Sequence, residues 1–432
     1  MDLRTRIINK RAKIAVIGLG YVGLPLAIEY AKADFSVFGI DLDHGKINKL
    51  KRCRSYIEDI SDRDIKEVVH IGRLNPTTDI AVLQKADAVI ICVPTPLRKT
   101  QDPDVSYIID AAQKISENSH AEQLIILEST TYPGTCEEVV YPILANDNRC
   151  IDKDFYLAFS PERIDPGNKS YTTNMIPKVI GGVSGKSTEM AVLLYGQIMD
   201  KVVPVSSARV AEMVKLLENT FRSVNIGLVN EIALMCDRMD MDVWEVIDAA
   251  ATKPFGFIPF YPGPGLGGHC LPVDPIYLSW KAGMYGFEAR FIQLASRVNS
   301  AMPRYVVNKT AKILNERKKC VNGSNILILG VAYKKDVSDV RESPAIDVIG
   351  NLNEMGAHVT YHDPFVDQLA IEDRVMKSVP LTKQLLKKAD CVMIVADHSN
   401  VDYEFVLKNS DLVFDTRNAL SRFKDRKKIA RI

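Results

Sequence analysis

Short apolar runs recur along the first half of the chain, at residues 14–17, 36–40, 88–92, 124–127, 155–158, 179–180 and 202–205. They are too short for helices and rich in β-branched residues, so they read as strands buried on both faces. Helical periodicity fills the gaps between them, as at 24–33. Strand and helix in alternation predict a parallel, doubly wound sheet.

From residue 208 to about 239 the period becomes that of one long helix. Val210, Met213, Val214, Leu217, Phe221 and Val224 form an apolar stripe expected to face the core. Glu212, Lys215, Asn219 and Arg222 fall on another narrow face. Helical sequence continues at 243–251 and 288–314, interrupted by a Pro/Gly-rich loop spanning 254–275. The α/β pattern then restarts, with strands expected at 325–330, 358–361, 391–395 and 412–414. The expected fold is α/β: two Rossmann-like domains, 1–207 and 319–432, joined by a helical middle domain, 208–318. A charged stretch, 315–323, is the linker into the last of these.

Composition narrows the partners. A chain of 432 residues exceeds a single core, and 25% charged residues with a net charge of +1 give no electrostatic reason to expect nucleic acid or a membrane surface. The 8 cysteines contain no C-x-x-C pair, which argues against a zinc site or disulfide framework and for cytoplasmic, reduced thiols, most of them core residues. A basic start (Arg4, Arg6, Lys10, Arg11, Lys13) before an apolar stretch resembles a secretion signal, but spaced glycines, Glu29 and Lys32 break that pattern.

Those glycines have a better use. Gly18-Leu-Gly20-Tyr-Val-Gly23 follows an expected strand and opens a helix, and Asp41 ends the next strand. In this context the glycines allow a tight turn, backbone approach to a pyrophosphate and close helix–strand packing. An acid at Asp41 accepts from the adenosine ribose hydroxyls and repels a 2′-phosphate, so NAD is expected over NADP.

A second unusual segment is Gly263-Pro-Gly-Leu-Gly267-Gly-His269-Cys270, with Asp274 beyond it. A cysteine ending a glycine-rich loop, open to close approach by a ligand, has the setting of a reactive thiol. An inert loop cysteine is the alternative. The polar line Glu212–Lys215–Asn219–Arg222 is either a solvated helix face or a set of ligand contacts.

Taken together, Gly18–Gly23, Val93-Pro94-Thr95-Pro96, Ser129-Thr130-Thr-Tyr-Pro-Gly134, Ser160-Pro-Glu162, Ala211 to Lys215 through Asn219, Gly267 to Cys270 with Asp274, Tyr333-Lys334 through Asp339 and Arg341, and Asp415-Thr-Arg417-Asn418 resemble the UDP-glucose/GDP-mannose dehydrogenase family across nearly the whole chain. The resemblance implies two successive hydride transfers to NAD at one site, converting a –CH₂OH to a carboxylate. It implies Cys270 as the nucleophile that carries a thiohemiacetal and then a thioester. Lys215 and Asn219 correspond to residues that stabilise the oxyanion, and Asp274, Thr130 and Glu162 to proton transfer and water activation. The cofactor side would hold Gly18, Gly20, Tyr21, Val22, Gly23, Asp41, Lys46, Pro94, Thr95, Thr130 and Arg341. The UDP-sugar side would hold Glu162, Arg163, Lys215, Asn219, Arg222, Tyr261, Gly267, Lys334 and Arg417. No metal is implied, and a homodimer through the middle region is.

The chain departs from the UDP-glucose pattern in two places. Proline stands at 166 where those enzymes carry a second glutamate, leaving Asp165 or Glu162 for thioester hydrolysis, and His269 precedes the nucleophile. Pro161-Glu-Arg163 through Pro166-Gly167, and Gly267-Gly-His-Cys270, resemble the branch acting on UDP-N-acetylhexosamines. Within it Lys253-Pro-Phe-Gly-Phe257 and Phe260-Tyr-Pro-Gly-Pro-Gly265 resemble the enzymes of UDP-N-acetylglucosamine, which is favoured over UDP-N-acetylmannosamine and UDP-glucose. A two-electron 3-hydroxyacid dehydrogenase would account for Lys215 and Asn219 but not Cys270 or the last α/β domain. A non-catalytic NAD-binding sensor would leave Lys215, Asn219, Cys270 and Asp274 together unexplained.

Overall fold

A computed structural model describes the chain apart from residues 58–59, 99, 101, 164–172, 269 and 372–373; Asp165, Pro166 and His269 thus lie outside the described residues. The chain divides into two compact units. The first is Met1–Glu218 with Trp280–Tyr285, and the second is Asn219–Ser279 with Gly286–Ile432.

The first unit is built on an eight-stranded sheet: β1 (Lys13–Ile17), β2 (Ser36–Ile40), β3 (Leu74–Thr77), β4 (Ala88–Ile91), β5 (Gln123–Leu127), β6 (Phe155–Phe159), β7 (Lys178–Gly182) and β8 (Val202–Pro204), in the order β3-β2-β1-β4-β5-β6-β7-β8. All neighbours pair in parallel except β6 and β7. Alternate residues of the central strands feed different cores. Ile14, Val16, Ile90 and Ile126 join one layer of helices, while Ala15, Ile17, Ile91 and Leu127 join the other. This is why those segments read as unbroken apolar runs.

The second unit carries a five-stranded parallel sheet of β9 (Asn325–Leu329), β10 (His358–His362), β13 (Cys391–Ile394), β14 (Val413–Asp415) and β15 (Ile429–Arg431), in the order β10-β9-β13-β14-β15. A small hairpin, β11 (Gln368–Ile371) and β12 (Arg374–Lys377), lies outside it. β3, β11, β12 and β15 escape the sequence reading because each is short and only partly apolar.

The two sheets share a device. Asp41, just past β2, accepts from the Leu19 amide at 3.0 Å; Asp363, just past β10, accepts from the Val331 and Ala332 amides at 2.7 and 3.1 Å. In each case an acid at the tip of the second strand holds the turn that follows a positive-φ glycine after the first, Gly18 or Gly330.

The long helix forms over Ala208–Arg238, as expected, but its faces are reversed. Glu212, Lys215 and Asn219 are buried, whereas Met213, Leu217 and Phe221 of the expected core stripe are 38%, 56% and 46% exposed. The Pro/Gly-rich loop is also shorter than expected, because a helix starts at Cys270 and runs to Met284 through Pro275. Of the 8 cysteines, Cys136, Cys236 and Cys391 are buried and Cys53 and Cys92 pack, partly buried, against the core. Helix Arg290–Glu316 runs into the segment expected to be linker.

Candidate active site

In the first unit the glycine loop is shaped by the close approach of backbone. Gly18 has φ +93°, and a methyl there would lie 2.5 Å from the Cys92 carbonyl oxygen; one on Gly23 would strike the Gly18 carbonyl. Neither position tolerates a side chain. Gly20 differs, since nothing lies within 4 Å of where its Cβ would stand. No side chain caps the Gly23–Lys32 helix that follows. Open space above Gly20 beside an uncapped helix start is what a pyrophosphate requires, so the residues fit NAD. Asp41 is held by the Leu19 and Asp43 amides and by Lys46 Nζ at 3.0 Å. Tyr21 is exposed, Val22 and Thr130 are half-buried, Pro94 is exposed and Thr95 is buried in the turn after β4.

Around the end of β5, Ser129 Oγ donates to the Val93 carbonyl at 2.8 Å. The turn beyond it is gripped from the long helix: Glu212 accepts from the Gly134 and Cys136 amides at 2.5 and 2.9 Å. Burial pushes the Glu212 carboxyl up to about 7, although both amides act in the opposite sense.

Lys215 Nζ donates to the backbone carbonyl of Glu162 at 2.5 Å. The Glu162 carboxylate turns inward, accepting from Arg163 N at 2.7 Å and from Lys178 Nζ at 3.2 Å. Lys178 also pairs with Glu128 at 2.9 Å, and Tyr195 Oη donates to Glu128. Burial raises the Glu128 carboxyl above the ordinary range, and its two glutamate neighbours hold Lys178 charged. Arg163 forks onto Glu218 and reaches the Pro177 carbonyl at 2.6 Å. Lys178, Glu128 and Tyr195 carry no sequence signal, since each lies in or beside an ordinary strand or helix pattern.

In the second unit, Cys270 opens the Cys270–Met284 helix and Asp274 lies one turn on, which puts them on one face. Asp274 is buried and accepts from Asn219 Nδ2 at 2.5 Å. The glycines of the loop before Cys270 lie close against neighbouring side chains. A methyl on Gly263 would lie 2.5 Å from the Arg417 guanidinium, and methyls on Gly267 and Gly268 would lie 2.6 and 2.8 Å from Tyr333. Gly268 N donates to the Arg341 carbonyl at 3.0 Å.

The cations proposed from sequence thus have distinct settings. Arg417 is half-buried, donates through Nε to the Val395 carbonyl at 2.8 Å, and lies against the cysteine loop. Burial lowers its affinity for a proton, and Asp397 and Asp415 offset that. Lys334 follows the Gly330 turn, half-buried, whereas the Arg341 side chain is exposed and engaged with Asp339 at 2.6 Å. Tyr261 stacks on Trp244 with 5.8 Å between centroids and donates to Asp248 at 3.1 Å. Arg222 is exposed on the long helix.

The chain is similar to known proteins along most of its length. Residues 12–199 match the NAD binding domain of the UDP-glucose/GDP-mannose dehydrogenase family, 209–301 its central domain and 327–422 its UDP binding domain. The chain is 37% identical to the UDP-N-acetyl-D-glucosamine 6-dehydrogenase of Pseudomonas aeruginosa, over 83% of this chain and 84% of that protein. The solved UDP-D-ManNAc dehydrogenase of Pyrococcus horikoshii superposes with a TM-score of 0.89 at 34% identity, covering 97% of this chain and 99% of that one. The UDP-N-acetyl-mannosamine dehydrogenase Cap5O of Staphylococcus aureus does so with a TM-score of 0.84 at 33% identity, covering 97% and 98%. The chain therefore belongs to the UDP-glucose/GDP-mannose dehydrogenase family, and it is an NAD-dependent nucleotide-sugar dehydrogenase.

Proposed function

We propose that the chain oxidises the 6-hydroxyl of a UDP-N-acetylhexosamine, UDP-N-acetylglucosamine in preference to its mannosamine epimer, to the uronate for surface polysaccharide precursors. The observation that carries this reading is the pairing of Cys270 at a helix start with Asp274 one turn on, itself held by Asn219. Relatives named for both N-acetylated UDP-sugars support the substrate class.

Bound NAD⁺ supplies the hydride acceptor for each of the two oxidations. Cys270 adds its sulfur to the aldehyde carbon produced by the first, forming a C–S bond while the carbonyl oxygen takes a proton. A helix start favours negative charge on that sulfur. Loss of the second hydride leaves a thioester on Cys270. Water then cleaves the C–S bond, returning the thiol and releasing the carboxylate. Asp274 shuttles protons for the thiol and the sugar oxygen, oriented by the Asn219 amide. Lys215 and Asn219, one turn apart on a single helix, stabilise negative charge on oxygen during both oxidations. Thr130 and Glu162 position the hydrolytic water; the inward turn of the Glu162 carboxylate makes its backbone, through Lys215, the nearer contributor.

Gly18, Gly20, Gly23 and Asp41 seat the cofactor, with Tyr21, Val22, Lys46, Pro94, Thr95 and Arg341 around it. Lys334 and Arg417 meet the UDP phosphates and ribose, aided by Arg163, Arg222, Tyr261 and Gly267. The enzyme works in the cytoplasm as a homodimer, formed through the middle region. The exposed apolar stripe of Met213, Leu217 and Phe221 supports that interface. Among the described residues no helix is long and apolar enough to cross a membrane.

The test is NADH release from UDP-glucose, UDP-N-acetylglucosamine, UDP-N-acetylmannosamine and UDP-N-acetylgalactosamine. About two NADH per UDP-N-acetylglucosamine consumed is expected, with Cys270→Ser forming no carboxylate. One NADH per sugar, or full turnover by Cys270→Ser, rejects the reading.

A further inference from the structure

We infer that Asn230 is a positioning residue for the nucleophile, fixing the front of the segment whose far end Asn219 fixes. The long helix presents two carboxamides to one stretch of chain. Asn219 donates to Asp274 at 2.5 Å, and Asn230 Oδ1 accepts from the Gly263 amide at 3.0 Å. The two asparagines are about three turns apart and within about 20° around the axis, so they share a face. Between the points they grip lie Gly263 to Asp274, with Cys270 among them.

Asn230 is itself locked. Its Nδ2 donates to Asn299 Oδ1 at 2.9 Å, and Asn299 Nδ2 donates to the Ser223 carbonyl at 3.0 Å. Asn230 is 0% and Asn299 3% exposed, so neither amide has water as an alternative partner. The directional chain from Gly263 through Asn230 and Asn299 to Ser223 leaves one orientation for each carboxamide.

The loop needs such a clamp because it lacks a ladder of its own. Residues 262–265 are buried but sit in no helix or strand, so the Gly263 amide must find a partner from elsewhere. Gly263 also sets the approach of Arg417, and the Gly268 amide is tied separately to the Arg341 carbonyl. Loss of the Asn230 bond frees the loop at its upstream end, and Cys270 is expected to shift with it. A misplacement of about 1 Å at a reacting atom costs rate rather than fold.

This inference rests on Cys270 being the nucleophile, and its test separates the two. The intact enzyme and Asn230→Ala, Asn230→Asp and Asn299→Ala are compared for the rate of Cys270 alkylation by iodoacetamide without substrate, and for kcat and KM with UDP-N-acetylglucosamine and NAD⁺. Asn230→Ala is expected to change the alkylation rate at least about threefold and lower kcat about tenfold, with KM for NAD⁺ within about twofold. Asn230→Asp keeps an acceptor for Gly263 but loses the donor to Asn299, so its kcat is expected to fall between those of the parent and Asn230→Ala. If Asn230→Ala does not fold, Asn299→Ala reads the same quantity one bond further out, with at least a threefold loss of kcat expected. A lowered melting temperature with parental kcat and alkylation rate overturns the inference. Turnover by Cys270→Ser overturns instead the assignment of the nucleophile.

Discussion

Lys178 and Glu128 form an ion pair of 2.9 Å whose side chains are 5% and 0% exposed, and Lys178 reaches Glu162 as well. One ammonium thus serves two buried carboxylates behind the residue whose carbonyl holds Lys215. Removing it by Lys178→Met strands both, at a cost of about 3–5 kcal/mol. Burial alone raises a carboxylate's proton affinity, so the folded variant holds protons that the unfolded chain releases as pH rises. Its deficit is therefore largest at neutral pH and narrows toward about pH 5. Urea denaturation of both proteins at the two pH values checks this; an unchanged midpoint at neutral pH would contradict it.

Glu212 gives a pH dependence of its own. Its carboxyl is pushed up to about 7 from an ordinary 4.5. The stability this contributes is fully present below about pH 4.5 and is lost as pH rises toward about 7, a few kcal/mol in all. Glu212→Gln keeps the shape and does not titrate. Thermal unfolding should show the parent losing ground relative to Glu212→Gln between about pH 5 and about pH 7.5. A parent that gains ground over that range rules the assignment out.

The glycine loop separates fold from binding. Gly20→Ala adds a methyl into open space, so the melting temperature should stay within about 2 °C. NADH affinity, followed by fluorescence titration, should still fall at least about tenfold, because the methyl occupies the pyrophosphate approach. Gly18→Ala, by contrast, should lose stability as well as binding, having a positive φ and a carbonyl in the way. Parental NADH binding by Gly20→Ala would remove the loop from the cofactor site.

Leu217→Glu places a charge in the middle of the exposed stripe of the long helix. The variant is expected to run as a folded monomer by light scattering, and the parent, if it assembles as proposed, as a dimer at the same concentration. A dimer of unchanged stability would move the interface elsewhere.

The strands of both sheets other than β3 and β15 were legible because burial on two faces leaves an apolar signature, and the glycine turn because its spacing encodes a shape. The orientation of the Ala208–Arg238 helix was not legible. Reading apolar as inward fails when a helix buries Glu212, Lys215 and Asn219 against partners within the chain and leaves Leu217 and Phe221 outside. Those partners are distant in sequence: Glu212 meets Gly134, and Lys178 meets Glu128 across most of two βα repeats. No local pattern records such pairings, so the burial of Lys215 and Asn219, and the Lys178–Glu128–Tyr195 group beside Glu162, could not be read from the chain.

Asp41, proposed to read the adenosine ribose, is at the same time a structural pin. Its carboxylate is held by two backbone amides and Lys46, one of those amides being that of Leu19 inside the glycine turn. Replacing it with a neutral residue to admit a 2′-phosphate would slacken the turn that grips the rest of the dinucleotide. A change of coenzyme from NAD to NADP is therefore out of reach of a single substitution here, and an engineer must rebuild the strand tip and the turn as one piece.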